Sequence, residues 1–256
     1  MSDSSIDMIV CPLFETGPRN LRNSEGSVVE LRDGRLLLYY MNFYTGATDW
    51  SAADVRGKIS DDGGQTWSEP FLVEPNTARF NVGRLSLFRL PPHVPVGEDE
   101  ELGHVHHGLL AHVYVEMNDG LNRRMIFKTS ADEGETWSPP VPLNPQNVSA
   151  GVSQDKAIVL GDGRIVVPVD QYMGTKPTTD DPKGVHRMGE RFGNLERSAL
   201  VYSFTLYSDD EGQTWSPMRQ LNFRGDSPSM IRLSSGALLA AAREAVALAR
   251  QPTFGQ

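Results

Sequence analysis

Short runs in which apolar and polar residues alternate follow one another along most of the chain. Two of the clearest pairs of runs are each interrupted by an Asp-Gly turn, at Asp33-Gly34 and at Asp162-Gly163. Alternation with a period of two on either side of Asp-Gly predicts a β-hairpin. The chain is therefore predicted to be all-β. Pairs of runs of this kind occupy residues 27–41, 85–116, 156–170 and 228–242.

The hairpins are accompanied by an octet that occurs three times, at residues 60–67, 130–137 and 208–215, with the shared pattern S-x-D-x-G-x-T-W. Asp and Ser side chains accept hydrogen bonds from nearby backbone amides, and glycine supplies a positive φ. Thr and Trp favour the start of a strand. We therefore predict that each octet is a turn that clasps two strands, and that its acidic residues serve the turn rather than catalysis or calcium binding.

Hairpin and octet together make a repeating unit of four antiparallel strands, which is the blade of a β-propeller. Three units are complete, at about 27–75, 83–143 and 152–222, and a fourth is partial, at 227–243. A ring of fewer than four blades is not expected. We expect one domain over 1–256 that is incomplete at its C-terminal end, unless it closes in an unusual way or a second copy completes the ring by self-association.

Composition excludes several classes of function. The 24 Lys and Arg against 33 Asp and Glu give a net charge of -9, which disfavours binding to nucleic acid. No apolar run is long enough to span a membrane, and the start of the chain lacks a basic segment before a long apolar one. We expect a cytoplasmic protein that binds no membrane. The single cysteine, Cys11, cannot form an internal disulfide or a cysteine metal cage, and we expect no cofactor and no metal.

The octets, together with the segment Arg22-Asn23-Ser24-Glu25-Gly26 before the first hairpin, resemble the sialidase (neuraminidase) superfamily and its bacterial members. In that family the octet is the Asp-box, or BNR repeat. The resemblance extends from about residue 20 to 243 and implies a six-bladed β-propeller. It also implies an exo-sialidase, a glycoside hydrolase that releases a terminal acidic sugar such as sialic acid from glycoconjugates. The implied site has three arginines for the substrate carboxylate, a Tyr nucleophile assisted by Glu, and an Asp acid/base.

The resemblance carries over to five residues of this chain. Asp49 falls at the place of the acid/base, on the loop after the second strand of the first blade. Arg22 lies two residues before the place of the first clamp arginine, and Arg243 ends a G-x-L-L-x-x-x-R stretch like that of the second. Asp226 stands where the family has the assisting Glu. Glu25 could pair with Arg22 or contact a ligand.

The third arginine and the Tyr nucleophile come from later blades in the family, and no tyrosine of this chain stands at the nucleophile's place. Two alternatives therefore stay open. One is a non-catalytic Asp-box propeller that binds glycan or protein. The other is a hydrolase with a carboxylate pair, formed by Asp49 with Asp155 or Asp226.

Two polar segments carry weaker signals. Residues 174–194 could form a lid over the site. Four histidines near the acidic residues 98–101 are interpreted as a solvated loop rather than as a metal site. They are His104, His106, His107 and His112.

Overall fold

The computed structural model describes residues 16–92, 108–119, 122–145, 148–152, 155–173 and 200–243. Every regular element in this part of the chain is a β-strand. The strands are β1 (Arg22–Glu30), β2 (Leu36–Phe43), β3 (Ala53–Ser60), β4 (Phe71–Glu74), β5 (Asn81–Arg89), β6 (Leu110–Asp119), β7 (Asn122–Ser130), β8 (Val141–Pro142), β9 (Ala150–Gly151), β10 (Ile158–Val159), β11 (Ile165–Met173), β12 (Leu200–Ser208), β13 (Arg219–Arg224), β14 (Asp226–Arg232) and β15 (Leu238–Arg243).

The strands form blades in chain order. Strands β1–β4 are antiparallel neighbours, as are β5–β8, and a single parallel bridge between Ala53 and Asn81 joins these two blades. The third blade has the order β10-β11-β12-β13, with the short β9 also paired to β11. Strands β14 and β15 form the last hairpin. The all-β fold and the predicted propeller blades are confirmed.

The octets are the clasps that their sequence predicts. In the first, Ser60 Oγ accepts a hydrogen bond from the Gly64 amide at 2.8 Å, and Asp62 accepts from both the amide and the hydroxyl of Thr66, at 2.8 and 2.7 Å. The hydrogen bonds from Thr66 lower the pKa of Asp62 to about 2. Equivalent bonds hold the octets at 130–137 and 208–215. The clasp carboxylates are therefore engaged in the turns.

Aromatic side chains of the clasps pack one blade onto the next. The Trp137 ring lies 6.1 Å from that of Tyr39 in the first blade, and the Trp215 ring lies 5.1 Å from that of Phe127 in the second. Around these contacts, apolar side chains form two buried clusters, one between the first and second blades and one between the second and third. Burial of this apolar surface is the main force that joins the blades.

The inner strands are connected by serine hydroxyls. Ser27 Oγ in β1 accepts from the Leu87 amide of β5 at 3.0 Å and donates to Asp155 Oδ1 at 2.8 Å. Ser86 Oγ in β5 accepts from the Lys156 amide, which precedes β10, at 2.9 Å. These bonds place β1, β5 and the start of the third blade side by side around one axis.

Two sequence interpretations concern residues at or beyond the limits of the described ones. The segment 174–194 and residues 93–107, which include three of the four histidines, lie outside those limits. His112 is described, and its interpretation as part of a solvated loop is wrong: it is buried in β6, against the rings of Tyr39, Tyr114 and Trp137. Within the described ranges, no group of three or more His, Cys, Asp or Glu side chains could hold a metal ion. The same ranges contain no helix that is long and apolar enough to cross a membrane.

Candidate active site

Five charged residues predicted from the sequence lie at one end of the hairpins. Arg22 begins β1 and pairs in register with Phe43 at the end of β2, and Asp226 pairs with Arg243 in the same way. The clasps are at the opposite end, because Ser60 pairs with Leu36 at the start of β2. The candidate site is thus separated from the clasps by the length of the strands.

The first ion pair of the site joins Arg22 to Asp49. Arg22 Nη1 donates to Asp49 Oδ1 at 2.6 Å and to the Ala47 carbonyl at 3.2 Å, and the guanidinium lies 4.7 Å from the centre of the Phe43 ring. The Asp49 side chain is 59% exposed and that of Arg22 is 30% exposed. A planar guanidinium on an aromatic face is held in orientation while its edge stays open to a ligand.

The position of Asp49 is set by the second blade. The buried amide of Asn81, at the start of β5, donates to the backbone carbonyls of Asp49 and Ser51 at 2.9 and 3.0 Å. Within the loop, Ser51 Oγ accepts from the Thr48 amide at 3.2 Å. The Trp50 ring contacts the edge of Phe80, at 6.1 Å between centroids, beside a depression of about 340 Å³. Because these hydrogen bonds hold the loop, Asp49 keeps a fixed position relative to the axis of the blades.

Glu25 lies on a β-bulge in β1, where the register shifts between Ser24 and Ser27, and it has a left-handed φ of 55°. Its Oε2 atom is buried and has no hydrogen-bond partner among the described residues. Burial raises the pKa of Glu25, and so does the charge of Asp49, while Arg84 and Arg22 lower it. Glu25 therefore lies within electrostatic range of the Arg22–Asp49 pair, and the ion-pair partner of Arg22 is Asp49.

Arg84 is a member of this cluster that the sequence analysis missed. It occupies the same position in the second blade, on a bulge of β5 between Gly83 and Ser86, with a φ of 51°. A sequence signal for the position exists: the left-handed residue is followed two places later by serine at Glu25-Gly26-Ser27, Arg84-Leu85-Ser86 and Ser227-Pro228-Ser229. The pattern is too short to stand out without the strand register.

A buried acid continues the cluster into the third blade. Asp170 in β11 is fully buried, with Oδ1 3.9 Å from Arg123 Nη1. Burial raises the pKa of Asp170, the charges of Arg123 and Arg84 lower it, and Asp226 raises it. Arg84 thus acts on carboxyl groups of both the first and third blades.

The second ion pair of the site is bidentate. Arg243 Nε and Nη2 donate to the two carboxylate oxygens of Asp226 at 2.7 and 2.6 Å. The Arg243 side chain is 73% exposed and that of Asp226 is 11% exposed. The carboxylate at the place of the family's assisting Glu is therefore bound by the arginine predicted as a clamp.

The structure thus arranges the predicted residues as two ion pairs, Arg22–Asp49 and Asp226–Arg243, with Glu25 beside the first. The charge of Arg84 lowers the pKa of Glu25 and of Asp170, and the charge of Asp226 raises the pKa of Asp170. Asp155, considered as a second catalytic acid, accepts the Ser27 hydroxyl between the first and third blades. The arrangement can bind an anion and can supply a carboxyl group for proton transfer beside it.

Antiparallel blades with Asp-box clasps and a charged cluster at the opposite strand ends define an Asp-box β-propeller. Residues 41–251 match a family model described as a BNR repeat-like domain. The chain belongs to this family, within the sialidase/BNR-repeat superfamily.

Known proteins similar to this chain include a curated sialidase of Paraclostridium sordellii, 26% identical over 242 residues. The match covers 85% of this chain and 51% of that protein, so the chain spans about half the length of its relative.

Solved structures share the fold. The Hadza microbial sialidase Hz136 is 15% identical with a TM-score of 0.53, covering 83% of this chain and 40% of its own. Trypanosoma rangeli sialidase in complex with 2,3-difluorosialic acid is 17% identical with a TM-score of 0.53, covering 85% and 33%. An alpha-L-arabinanase of Penicillium chrysogenum complexed with arabinobiose is 14% identical with a TM-score of 0.52, covering 89% and 60%.

Proposed function

We propose that this chain carries the site of a sialidase-type glycoside hydrolase that releases a terminal acidic sugar, such as sialic acid, from glycoconjugates. The observation that carries the proposal is the 2.6 Å contact between Arg22 and Asp49. It puts a guanidinium suited to a sugar carboxylate beside a carboxyl group suited to proton transfer. The sialidase of P. sordellii, which matches over 85% of this chain, supports the same class of reaction.

Arg22 has the first role in binding. Its fork of N–H groups matches a carboxylate with two parallel hydrogen bonds, and the Phe43 ring fixes its plane. When the carboxylate of the sugar binds the Arg22 guanidinium, it replaces Asp49, and the Asp49 side chain is released from its ion pair. Arg243, with its exposed side chain, supplies a second cation at the same end of the blades.

Asp49 has the catalytic role. The bond between the anomeric carbon and the glycosidic oxygen breaks as Asp49 donates a proton to the leaving oxygen; water then adds its hydroxyl group to the anomeric carbon and returns a proton to Asp49. The two backbone hydrogen bonds from Asn81 keep Asp49 in place. The exposure of its side chain leaves room for the leaving group.

The test is release of the fluorophore from an aryl sialoside by the wild-type chain and by Asp49→Asn. Loss of the general acid is expected to lower kcat by roughly 10²- to 10⁴-fold. Asp61→Asn is the matched control, because Asp61 is an exposed aspartate of the same blade at the clasp end. Equal rates for the two variants, or no release by a folded wild-type chain, would refute the proposal.

A further inference from the structure

Within the described residues, the four large apolar side chains that are more than half exposed lie on two faces. They are Val28 at 52%, Leu72 at 54%, and Ile231 and Leu239 at 55% each. The first two belong to the first blade, and the last two are opposite each other in the hairpin of β14 and β15. Single exposed apolar residues are ordinary on a protein surface, but several on one face mark a surface that packs on another.

The turn of the last hairpin shows which of its faces carries these residues. The Gly236 amide donates to the Leu233 carbonyl at 2.9 Å, as the Gly34 amide of the first hairpin donates to the Leu31 carbonyl at 3.0 Å. The two glycines have φ angles of 86° and 85°. The turns are therefore equivalent, and residues at equal distances from them occupy equivalent places in their blades.

This equivalence identifies the exposed side of the last hairpin as its back face, the face on which a following blade packs. Leu31 and Leu37 lie on the back face of the first blade, where the second blade buries them to 3% and 1% exposure. Leu233 and Leu239 stand at the same places in the last hairpin and are 38% and 55% exposed. Ile231 is opposite Leu239 and extends the exposed surface. The last hairpin thus presents a back face that the described part of the chain leaves uncovered.

The first blade exposes a front face, the face that packs on a preceding blade. In the second blade this face includes Leu87, which is 2% exposed and buried against the first blade, and Gly134 of the clasp, where a Cβ atom would lie 3.2 Å from a leucine of β2. Leu87 follows Ser86 in β5 as Val28 follows Ser27 in β1. Val28 therefore occupies, in the first blade, the place that is buried in the second.

Leu72 lies on the same front face. It pairs with Arg56, which stands four residues before the first clasp begins. In the second blade the residue four places before the clasp is Ile126, which is 2% exposed and buried against the first blade. Because side chains directly opposite each other in paired strands lie on one side of a sheet, Leu72 and Val28 share the front face of the first blade.

Front and back faces already fit each other twice within this chain, between the first and second blades and between the second and third. We propose that two copies of this chain associate, each packing the front face of its first blade on the back face of the other's last hairpin. The chain carries both complementary faces, and it spans 51% of its P. sordellii relative, so that two copies supply about the length of one such protein. A reciprocal pair buries all four exposed side chains, which favours association.

This inference does not depend on the proposed hydrolase activity, because its readout is the mass of the protein in solution. Light scattering and sedimentation velocity are measured on the purified full chain over a range of concentrations. The expected mass is that of two chains, with dissociation on dilution. A mass of one chain at every concentration overturns the inference.

The back face is tested with Leu239→Asp. A carboxylate at this place would be buried without a partner, so the dissociation constant is expected to rise at least roughly 100-fold. Ser235→Asp is the matched control, because it adds the same charge to the exposed turn of the same hairpin, where the first and third hairpins have Asp33 and Asp162. Thermal unfolding shows that each variant is folded. Equal dissociation constants for the two variants would overturn the inference.

A mixing experiment tests the front-to-back geometry. Val28→Lys alters the front face, and alone it is expected to weaken association as Leu239→Asp does. When the two variants are mixed, one of the two contacts is unaltered and the other brings Asp against Lys, so pairs should form again. A mixture that keeps the mass of one chain, at a concentration where the wild type is paired, would show that the faces do not pack in this way.

Discussion

The residues of the candidate site differ in how firmly neighbouring groups hold their side chains in place. The guanidinium of Arg22 is held by Asp49, the Ala47 carbonyl and the Phe43 ring. Glu25 has a buried oxygen without a hydrogen-bond partner among the described residues, and a pKa raised by burial. A carboxyl group whose charged form is disfavoured by burial lowers the stability of the fold. Such groups are common where a residue serves binding or catalysis.

His112 is a buried histidine that affects the stability of the fold. It is completely buried in β6, with Nδ1 3.9 Å from Glu74 Oε1, and Lys128 bonds the same carboxylate at 2.7 Å. Neither ring nitrogen has a hydrogen-bond partner among the described residues. Burial, with a contribution from the charge of Lys128, lowers the pKa of His112 to about 3.

The lowered pKa of His112 predicts a pH dependence of folding. Between pH 6.5 and 3 the unfolded chain binds a proton at this histidine and the folded chain does not, so stability falls as the pH falls through this window. The contribution between pH 7 and 4 is on the order of 3 kcal/mol. Urea unfolding of the wild type and of His112→Phe, which keeps an aromatic ring, measures it. The variant should lose less stability, and equal losses in both proteins would contradict the assignment.

At the residue scale, the resemblance to the family singled out Arg22, Asp49, Asp226 and Arg243 from their places relative to recognisable turns, and their roles in a site stay predictions. Arg84 was missed because the local pattern that marks its position, a serine two places after the left-handed residue, is too short to recognise without the strand register. Its position depends on the bulge in β5, which is visible in the pairing with β6.

At the scale of elements, the hairpins and clasps were predictable since both follow from local chemistry. Alternation with a period of two and the Asp-Gly turns predicted β1–β2 and β10–β11, and the octets predicted the clasps. The bulges and the short strand β9 were not predicted, because they depend on contacts with neighbouring strands. The serine bonds between β1 and β5 are an example of such contacts.

Two turn glycines, Gly212 in the third clasp and Gly34 in the first hairpin, allow the cost of overpacking to be separated from the cost of backbone strain. Gly212 has a φ of 87°, and a Cβ atom there would overlap the Phe127 ring of the preceding blade. Gly34 has a φ of 85°, and a Cβ atom there would meet no atom within 4 Å. Alanine at either position brings the strain of a positive φ, but only Gly212→Ala adds overpacking.

Gly212→Ala is therefore expected to destabilise the protein by about 1–3 kcal/mol more than Gly34→Ala does. The measurement is the denaturant midpoint of each variant, with the slope of the transition unchanged. Similar midpoints for the two variants would mean that the clasp of the third blade does not pack against the second blade.

At the scale of the whole molecule, the blades follow one another in chain order, and the second and third clasps each pack on the blade before them. The last hairpin and the first blade both expose large apolar side chains, including Ile231 and Leu239 at 55% each and Leu72 at 54%. The fold class and the class of protein followed from the repeat alone.

The central claim is that the charged end of the blades recognises the carboxylate of an acidic sugar. The most direct test is the ratio of kcat/KM for an aryl sialoside to kcat/KM for its methyl ester, measured with the wild-type chain. Two or more arginines on the carboxylate predict a preference for the free acid of at least roughly 10²-fold, and Arg22→Ala should reduce it. Equal rates for acid and ester, or a preference for the ester, would contradict the account.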